Sequence, residues 1–303
     1  ASVLITGASG IGKTRLLRHF TTELETRHPD ALVLCGRCHE REAIPYKAVD
    51  GLVEALGASL ARMPATEVRT LLPTRRALLA RLFPTLLRVP QLESEFDKHP
   101  LPNATPHELR QRAFDELREL FSRVAFDRPL VLVIDDLQWA DDDGLRALEE
   151  IVRTPDSPPL LLLGTLRTGG GAREVDRRRL EACIPELEVI DLGNLSRAEA
   201  RELTSALLLQ MHASEAHAER IVIESDGHPL FLEELARHAA VGTKAPIEIR
   251  LDEVIWSRVT ELEADARTVV ELATVAGKAL PQELSAKAAG LSVGDTSQLD
   301  NDI

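Results

Sequence analysis

Gly7-Ala8-Ser9-Gly10-Ile11-Gly12-Lys13-Thr14 has the spacing G-x-x-x-x-G-K-T and lies between an apolar run, Val3-Leu4-Ile5, and a helix-periodic stretch from Leu16-Leu17 to Phe20. A strand, a glycine-rich loop and a helix in that order make a phosphate-binding loop. Its glycines let backbone N–H groups turn inward onto phosphate oxygens, Lys13 reaches the β- and γ-phosphates, and the Thr14 hydroxyl ligates Mg²⁺. A second run, Leu130-Val131-Leu132-Val133-Ile134, ends in Asp135-Asp136. Unbroken apolar character suits a strand buried on both faces of a parallel sheet, which delivers the two acids to its carboxyl end. Asp135 is expected to hold Mg²⁺, directly or through water, and Asp136 to orient or deprotonate an attacking water. The plainer alternative has both acids merely capping the next helix. A third run, Leu160-Leu161-Leu162-Leu163-Gly164-Thr165-Leu166, is followed by Arg167. A guanidinium there would clasp developing phosphoryl charge in two places. Arg173 and the run Arg177-Arg178-Arg179 are alternatives for the same task, and a solvated surface arginine is the bland one.

The elements that must carry these residues are legible as well. Apolar strands near 2–6, 31–36, 130–134, 160–165 and 187–191 alternate with helical stretches, the signature of a parallel sheet wound on both faces. The expected fold class is α/β, a P-loop NTPase three-layer sandwich on a parallel five-stranded sheet. Its core spans residues 1–193, with a helical insertion at about 48–126 that contains helix-like runs from Arg75 to Leu82 and Glu108 to Ala125 and proline joints at Pro100, Pro102 and Pro106. The Leu and Phe stripe of this insertion reads most simply as core, though an inserted layer beside the active site could also contact a partner. Ser196-Arg197-Ala198-Glu199 is a capping-box pattern that should open the first helix of a second, helical region over 194–243. His228, between Gly227 and Pro229, reads as a turn residue rather than a base.

These features resemble the STAND class of AAA+-related signalling ATPases, particularly the bacterial modules attached to transcription regulators, cyclases and Ser/Thr kinases. Asp135-Asp136-Leu137-Gln138-Trp139-Ala140-Asp141 looks like that class's extended Walker B segment with its Trp-Ala-Asp ending. Gly227-His228-Pro229-Leu230-Phe231-Leu232 resembles the Gly-x-Pro segment of its helical lid, which implies that Pro229 packs near the nucleotide's base. Cys35-Gly36-Arg37-Cys38-His39-Glu40-Arg41-Glu42, with Ile44-Pro45-Tyr46-Lys47, is similar to the segment after the second strand in kinase-fused modules. The resemblance makes 194–243 the lid and 247–292 the start of a winged helix. It also sets the third run between the loop strand and the Asp-bearing strand, where Arg167 would report the γ-phosphate. The class's usual Gly-Arg-Glu-type segment does not precede the first strand, and the winged helix is cut short, so the chain is expected to be a fragment with a disordered tail over 293–303.

Composition narrows the partners. With 303 residues and 44% apolar content the chain has enough material for a large core, and length favours about two domains. A net charge of −13 opposes intrinsic nucleic-acid binding, because duplex recognition draws on clustered cations. The absence of a long apolar span or a basic leader opposes membrane insertion and secretion and leads us to expect a cytoplasmic protein. Cys35-Gly36-Arg37-Cys38-His39 matches the haem-attachment pattern, but in a cytoplasmic chain the match is discounted, and Cys183 alone adds too few thiolates for tetrahedral zinc. The expected ligands are therefore ATP or ADP with Mg²⁺. The expected role is a slowly hydrolysing regulatory switch, working with attached or separate effector domains and with ATP-dependent self-association. A non-hydrolysing nucleotide-bound scaffold is the main rival, and a fragment of a larger kinase or transcription regulator is another. No H-R-D or D-F-G segment is present, so the chain itself is not a kinase of that type.

Overall fold

The computed structural model describes residues 1–39, 46–73, 76–92, 104–153, 155, 157–169, 175, 177–241, 250–276, 287–288 and 290. The chain divides into two compact units, Ala1–Gly193 and Asn194–Ile303.

The first unit is built on five strands: β1 (Ser2–Gly7), β2 (Leu32–Arg37), β3 (Leu130–Asp135), β4 (Leu160–Arg167) and β5 (Leu187–Leu192). All pairings are parallel, in the order β2-β3-β4-β1-β5. The third apolar run therefore does lie between the loop strand and the Asp-bearing strand. All six residues of β3 are buried, as its unbroken apolar sequence requires for a central strand. Strand side chains alternate between faces. Leu130, Leu132 and Ile134 join the larger core, while Val131 and Val133 pack with Ile5, Leu163 and Leu17 beneath α1 (Lys13–Arg27).

The opposite face is covered by helices that fall mostly between β2 and β3. They are α2 (Lys47–Leu60), α3 (Ala65–Leu71), α4 (Ala77–Leu82), a 3₁₀ turn at Pro84–Arg88 and α5 (Pro106–Asp127). The Leu and Phe stripe of this stretch is buried, with Leu52, Leu56, Phe83, Leu117 and Phe121 at 0–1% exposure, so its apolar residues are spent on the core. Pro106 sits in the first turn of α5, where its missing N–H costs nothing, and Thr105 and Glu108 close a reciprocal capping box ahead of it. Pro100 and Pro102 lie outside the described residues. After β3 come a 3₁₀ turn at Leu137–Trp139 and α6 (Asp142–Val152), and α7 (Arg177–Cys183) precedes β5.

In the second unit, α8 (Arg197–Gln210) opens with the anticipated Ser196–Glu199 capping box. It packs with α9 (Ala218–Ser225) and α10 (Pro229–Val241) around Ala200, Leu208, Ile221, Leu232 and Leu235. Two further helices follow, α11 (Leu251–Glu261) and α12 (Ala264–Ala276). Beyond Ala276 only Lys287, Ala288 and Gly290 are described, so most of the remaining winged-helix expectation and the whole 293–303 tail fall outside the described residues.

Candidate active site

Parallel strands point their carboxyl ends the same way, and register decides what meets there. Gly7 is opposite Arg167 across β1 and β4, and Arg37 is opposite Asp135 across β2 and β3. The phosphate-loop glycine, both acids and the arginine thus collect at the carboxyl end of the sheet, the usual ligand crevice of an open parallel sheet.

The loop conformation needs its glycines. Gly10 and Gly12 have φ of 76° and 102°, a region in which a β-carbon is strained. At Gly7 an added Cβ would lie 2.7 Å from the Leu192 carbonyl oxygen, so the loop and the end of β5 approach too closely for a side chain. Lys13 begins α1 and is only 8% exposed. Its ammonium donates to the carbonyl oxygens of Gly7 at 2.9 Å and Ala8 at 2.7 Å. Burial holds its pKa below the ordinary lysine value; Asp136 opposes that shift, and the Arg167 charge reinforces it.

The Thr14 hydroxyl lies 3.1 and 2.9 Å from the two carboxylate oxygens of Asp135. Asp135 Oδ1 also accepts from the fully buried Thr165 hydroxyl at 2.6 Å, and Thr165 in turn accepts from the Asp136 N–H at 2.8 Å. A hydroxyl beside a carboxylate is a hard oxygen pair of the kind that fits Mg²⁺, an ion that takes one or two protein oxygens and completes its shell with water and phosphate.

Asp136 sits in left-handed backbone, φ 60°, uncommon for a non-glycine residue and of the kind that clusters at functional turns. Its Oδ2 accepts from Arg37 at 3.0 Å (Nε) and 2.8 Å (a terminal nitrogen), and its Oδ1 accepts from Gln138 Nε2 at 2.9 Å. Lys13, Thr14, Arg37, Asp136, Gln138 and Arg167 all line one cavity of about 510 Å³, with Trp139 at its wall. Arg167 is exposed within it.

Residues 1–163 match the AAA ATPase domain family. The chain belongs to that family. Over 295 residues the chain is also 25% identical to "Uncharacterized protein R02095" of Rhizobium meliloti, a match covering 91% of this chain and 27% of that protein. The chain therefore spans about a quarter of the relative's length. Among solved structures it is similar to a STAND protein with a tetratricopeptide repeat sensor from Pyrococcus horikoshii. That match has TM-score 0.45 and 13% identity, and covers 100% of this chain and 36% of that one. It is similar too to the RuvB Holliday junction branch migration motor of Thermotoga maritima, with TM-score 0.42 and 16% identity, over 98% of this chain and 76% of that one.

Of the residues the sequence singled out, Ser9, Gly10, Gly12, Lys13, Thr14, Asp136 and Arg167 line this cavity, and Asp135 is joined to it through Thr14. Ala8 contributes its carbonyl to Lys13, while Ile11 is buried at 6% exposure and packs inward. Of the rival arginines, Arg177 pairs with Glu181 and Asp191, Arg179 pairs with Asp142, Arg178 is exposed, and Arg173 is outside the described residues. Pro229 is the first residue of α10 in the second unit. His228 lies between the Asp226–Gly227 turn and α10, packed on Phe231. Just before it, Gly227 is in left-handed backbone, and a Cβ would lie 2.2 Å from the Leu195 carbonyl oxygen. Cys35 lies within β2 and is exposed while Cys38 is buried; neither forms a disulfide. Among the described residues there is no cluster of three metal-ligating His, Cys, Asp or Glu side chains, and no helix is long and apolar enough to cross a membrane.

Sequence reading did not assign roles to Arg37, Gln138, Thr165 or Asp141. Arg37 is visible only as a cation at a strand end, and Gln138 as a polar residue in an otherwise apolar turn. Asp141 accepts from the N–H groups of Tyr46 at 3.0 Å, Lys47 at 2.8 Å and Gly144 at 3.2 Å, so one carboxylate caps both α2 and α6. Pairing with α2 is a tertiary event that local spacing does not announce.

Proposed function

We propose that this AAA domain binds Mg-ATP, hydrolyses it slowly and acts as a regulatory switch within a larger signal-transduction protein. The observation that carries this reading is the convergence of Lys13, Thr14, Asp136 and Arg167 on one cavity at the strand ends. Lys13 and the N–H groups of residues 7–14 bind the β- and γ-phosphates, and Arg167 contacts the γ-phosphate. Thr14 and Asp135 are the residues that would hold Mg²⁺, which when bound supplies positive charge against the developing phosphoryl charge. Asp136 orients the attacking water, and its carboxylate, one methylene shorter than glutamate, accounts for slow turnover. Pro229 is the residue that the resemblance to STAND modules assigns to the nucleotide's base. ATP-for-ADP exchange alters contacts that depend on the γ-phosphate and thereby exposes surfaces for effector domains or self-association.

The alternative is a nucleotide-bound scaffold without turnover. One observation favours it: both Asp136 oxygens are already engaged, by Arg37 and Gln138, leaving the acid less free to take a proton. Asp136→Asn separates the readings. A hydrolysing switch should keep its Mg-ATP affinity and lose turnover by roughly 10²-fold or more, the scale of general-base removal. If wild type has no turnover and Asp136→Asn changes nothing, the scaffold reading holds.

A further inference from the structure

Gln138 is 3% exposed, so its amide must find partners inside the protein. It finds one at each end. Nε2 donates to Asp136 Oδ1 at 2.9 Å, and Oε1 accepts the Arg167 backbone N–H at 3.0 Å. The flipped amide would set N–H against N–H at Arg167 and oxygen against carboxylate at Asp136, so the partners themselves decide the orientation. The Gln138 backbone carbonyl accepts the Val175 N–H at 3.0 Å. Its turn is also seated on β4: at Gly164 an added Cβ would come within 2.5 Å of Leu137 Cδ1. The acid, the turn and the end of β4 are thus joined through one buried side chain.

The two holds on Asp136 differ in kind. Arg37 grips Oδ2 with a guanidinium whose side chain is 55% exposed, and an exposed ion pair exchanges readily with water and is weak. The Gln138 bond is part-buried and comes from an amide that is 3% exposed, so water competes with it less.

We propose that Gln138 is the positioning residue for hydrolysis: it pins Asp136 Oδ1 to the end of β4, so that release of Arg37 frees Oδ2 alone to face the attacking water. This rests on the hydrolytic reading of Asp136. Because the pin runs to the backbone of Arg167, a shift of the β4 end on γ-phosphate contact re-aims the carboxylate.

The test compares wild type, Asp136→Asn, Gln138→Glu, Gln138→Leu and the Asp136→Asn, Gln138→Leu double variant for Mg-ATP turnover and for Mg-ATP affinity by calorimetry. Gln138→Glu keeps an acceptor for the Arg167 N–H but sets a carboxylate against Asp136, and Gln138→Leu removes both bonds. In each, turnover should fall by roughly tenfold to a hundredfold, as for a misaimed reacting group, while Mg-ATP affinity stays near wild type. Because Gln138 acts through Asp136, adding Gln138→Leu to Asp136→Asn should cost no further turnover. A merely structural role would slow the double variant further or take affinity down with turnover. Either result, or wild-type turnover in both Gln138 variants, would overturn the proposal while Asp136→Asn remains impaired. If wild type shows no turnover, or Asp136→Asn turns over normally, the hydrolytic reading falls and the proposal with it.

Discussion

Lys13 is buried, and its ammonium is satisfied by two loop carbonyls, so the loop holds its cation ready at the floor of the cavity. Lys13→Ala should weaken Mg-ATP by at least about tenfold, since hydrogen bonds to charged groups contribute roughly 1.5–3 kcal/mol. Unchanged affinity in a calorimetric titration would rule out the phosphate-loop role. Arg167→Ala tests something narrower. A residue that touches only the γ-phosphate should cost ATP about 1.5–3 kcal/mol and leave ADP nearly untouched. Equal losses for the two nucleotides would exclude the sensor role and return attention to the arginines beyond it. Arg178 would then be the first to examine, because Arg177 and Arg179 are committed to carboxylates.

At the scale of elements, Asp141 does what no single strand or helix does alone. Its carboxylate ties the start of α2, which follows β2, to the start of α6, which follows β3. The approach is close enough that a Cβ on Gly144 would lie 2.5 Å from Asp141 Oδ1 and 2.9 Å from the Ala48 nitrogen. Asp141→Ala should destabilise the first unit by about 1–3 kcal/mol, the combined range for a lost cap and for unsatisfied N–H groups. A denaturant midpoint unmoved by the substitution would show that water replaces the carboxylate at no cost. The capping boxes carry a pH signature. Bonds from the Ser196 hydroxyl and backbone N–H hold the Glu199 carboxyl below its ordinary value. A depressed carboxyl contributes stability that is present above the unfolded glutamate pKa and is lost as pH falls through the folded one. Glu199→Gln should therefore flatten part of the acid limb of stability against pH for the second unit, and an unchanged limb would count against the box.

For the molecule as a whole, two compact units with separate apolar cores predict two unfolding transitions in calorimetry. Mg-ATP at 100 times its dissociation constant should raise the first unit's stability by about 2.7 kcal/mol through mass action. A scan in which nucleotide moves neither transition would contradict binding at the strand-end cavity.

Much of this molecule was legible before any coordinates. The phosphate loop, the Asp-bearing strand and the third apolar strand could be read because each is a local pattern: glycines where backbone turns and unbroken apolar runs where both faces are covered; the third strand's central position came only from the resemblance. The Ser196–Glu199 cap could be read for the same reason, since its partners are three residues apart. Tertiary structure alone decided what reaches across the sheet. Arg37 meets Asp136 from 99 residues away, and Arg167 meets Gln138 from 29. Asp141 meets the start of α2 from 94 and 95. Strand order and register set those meetings, and both come from packing of the whole sheet, which no window of sequence contains.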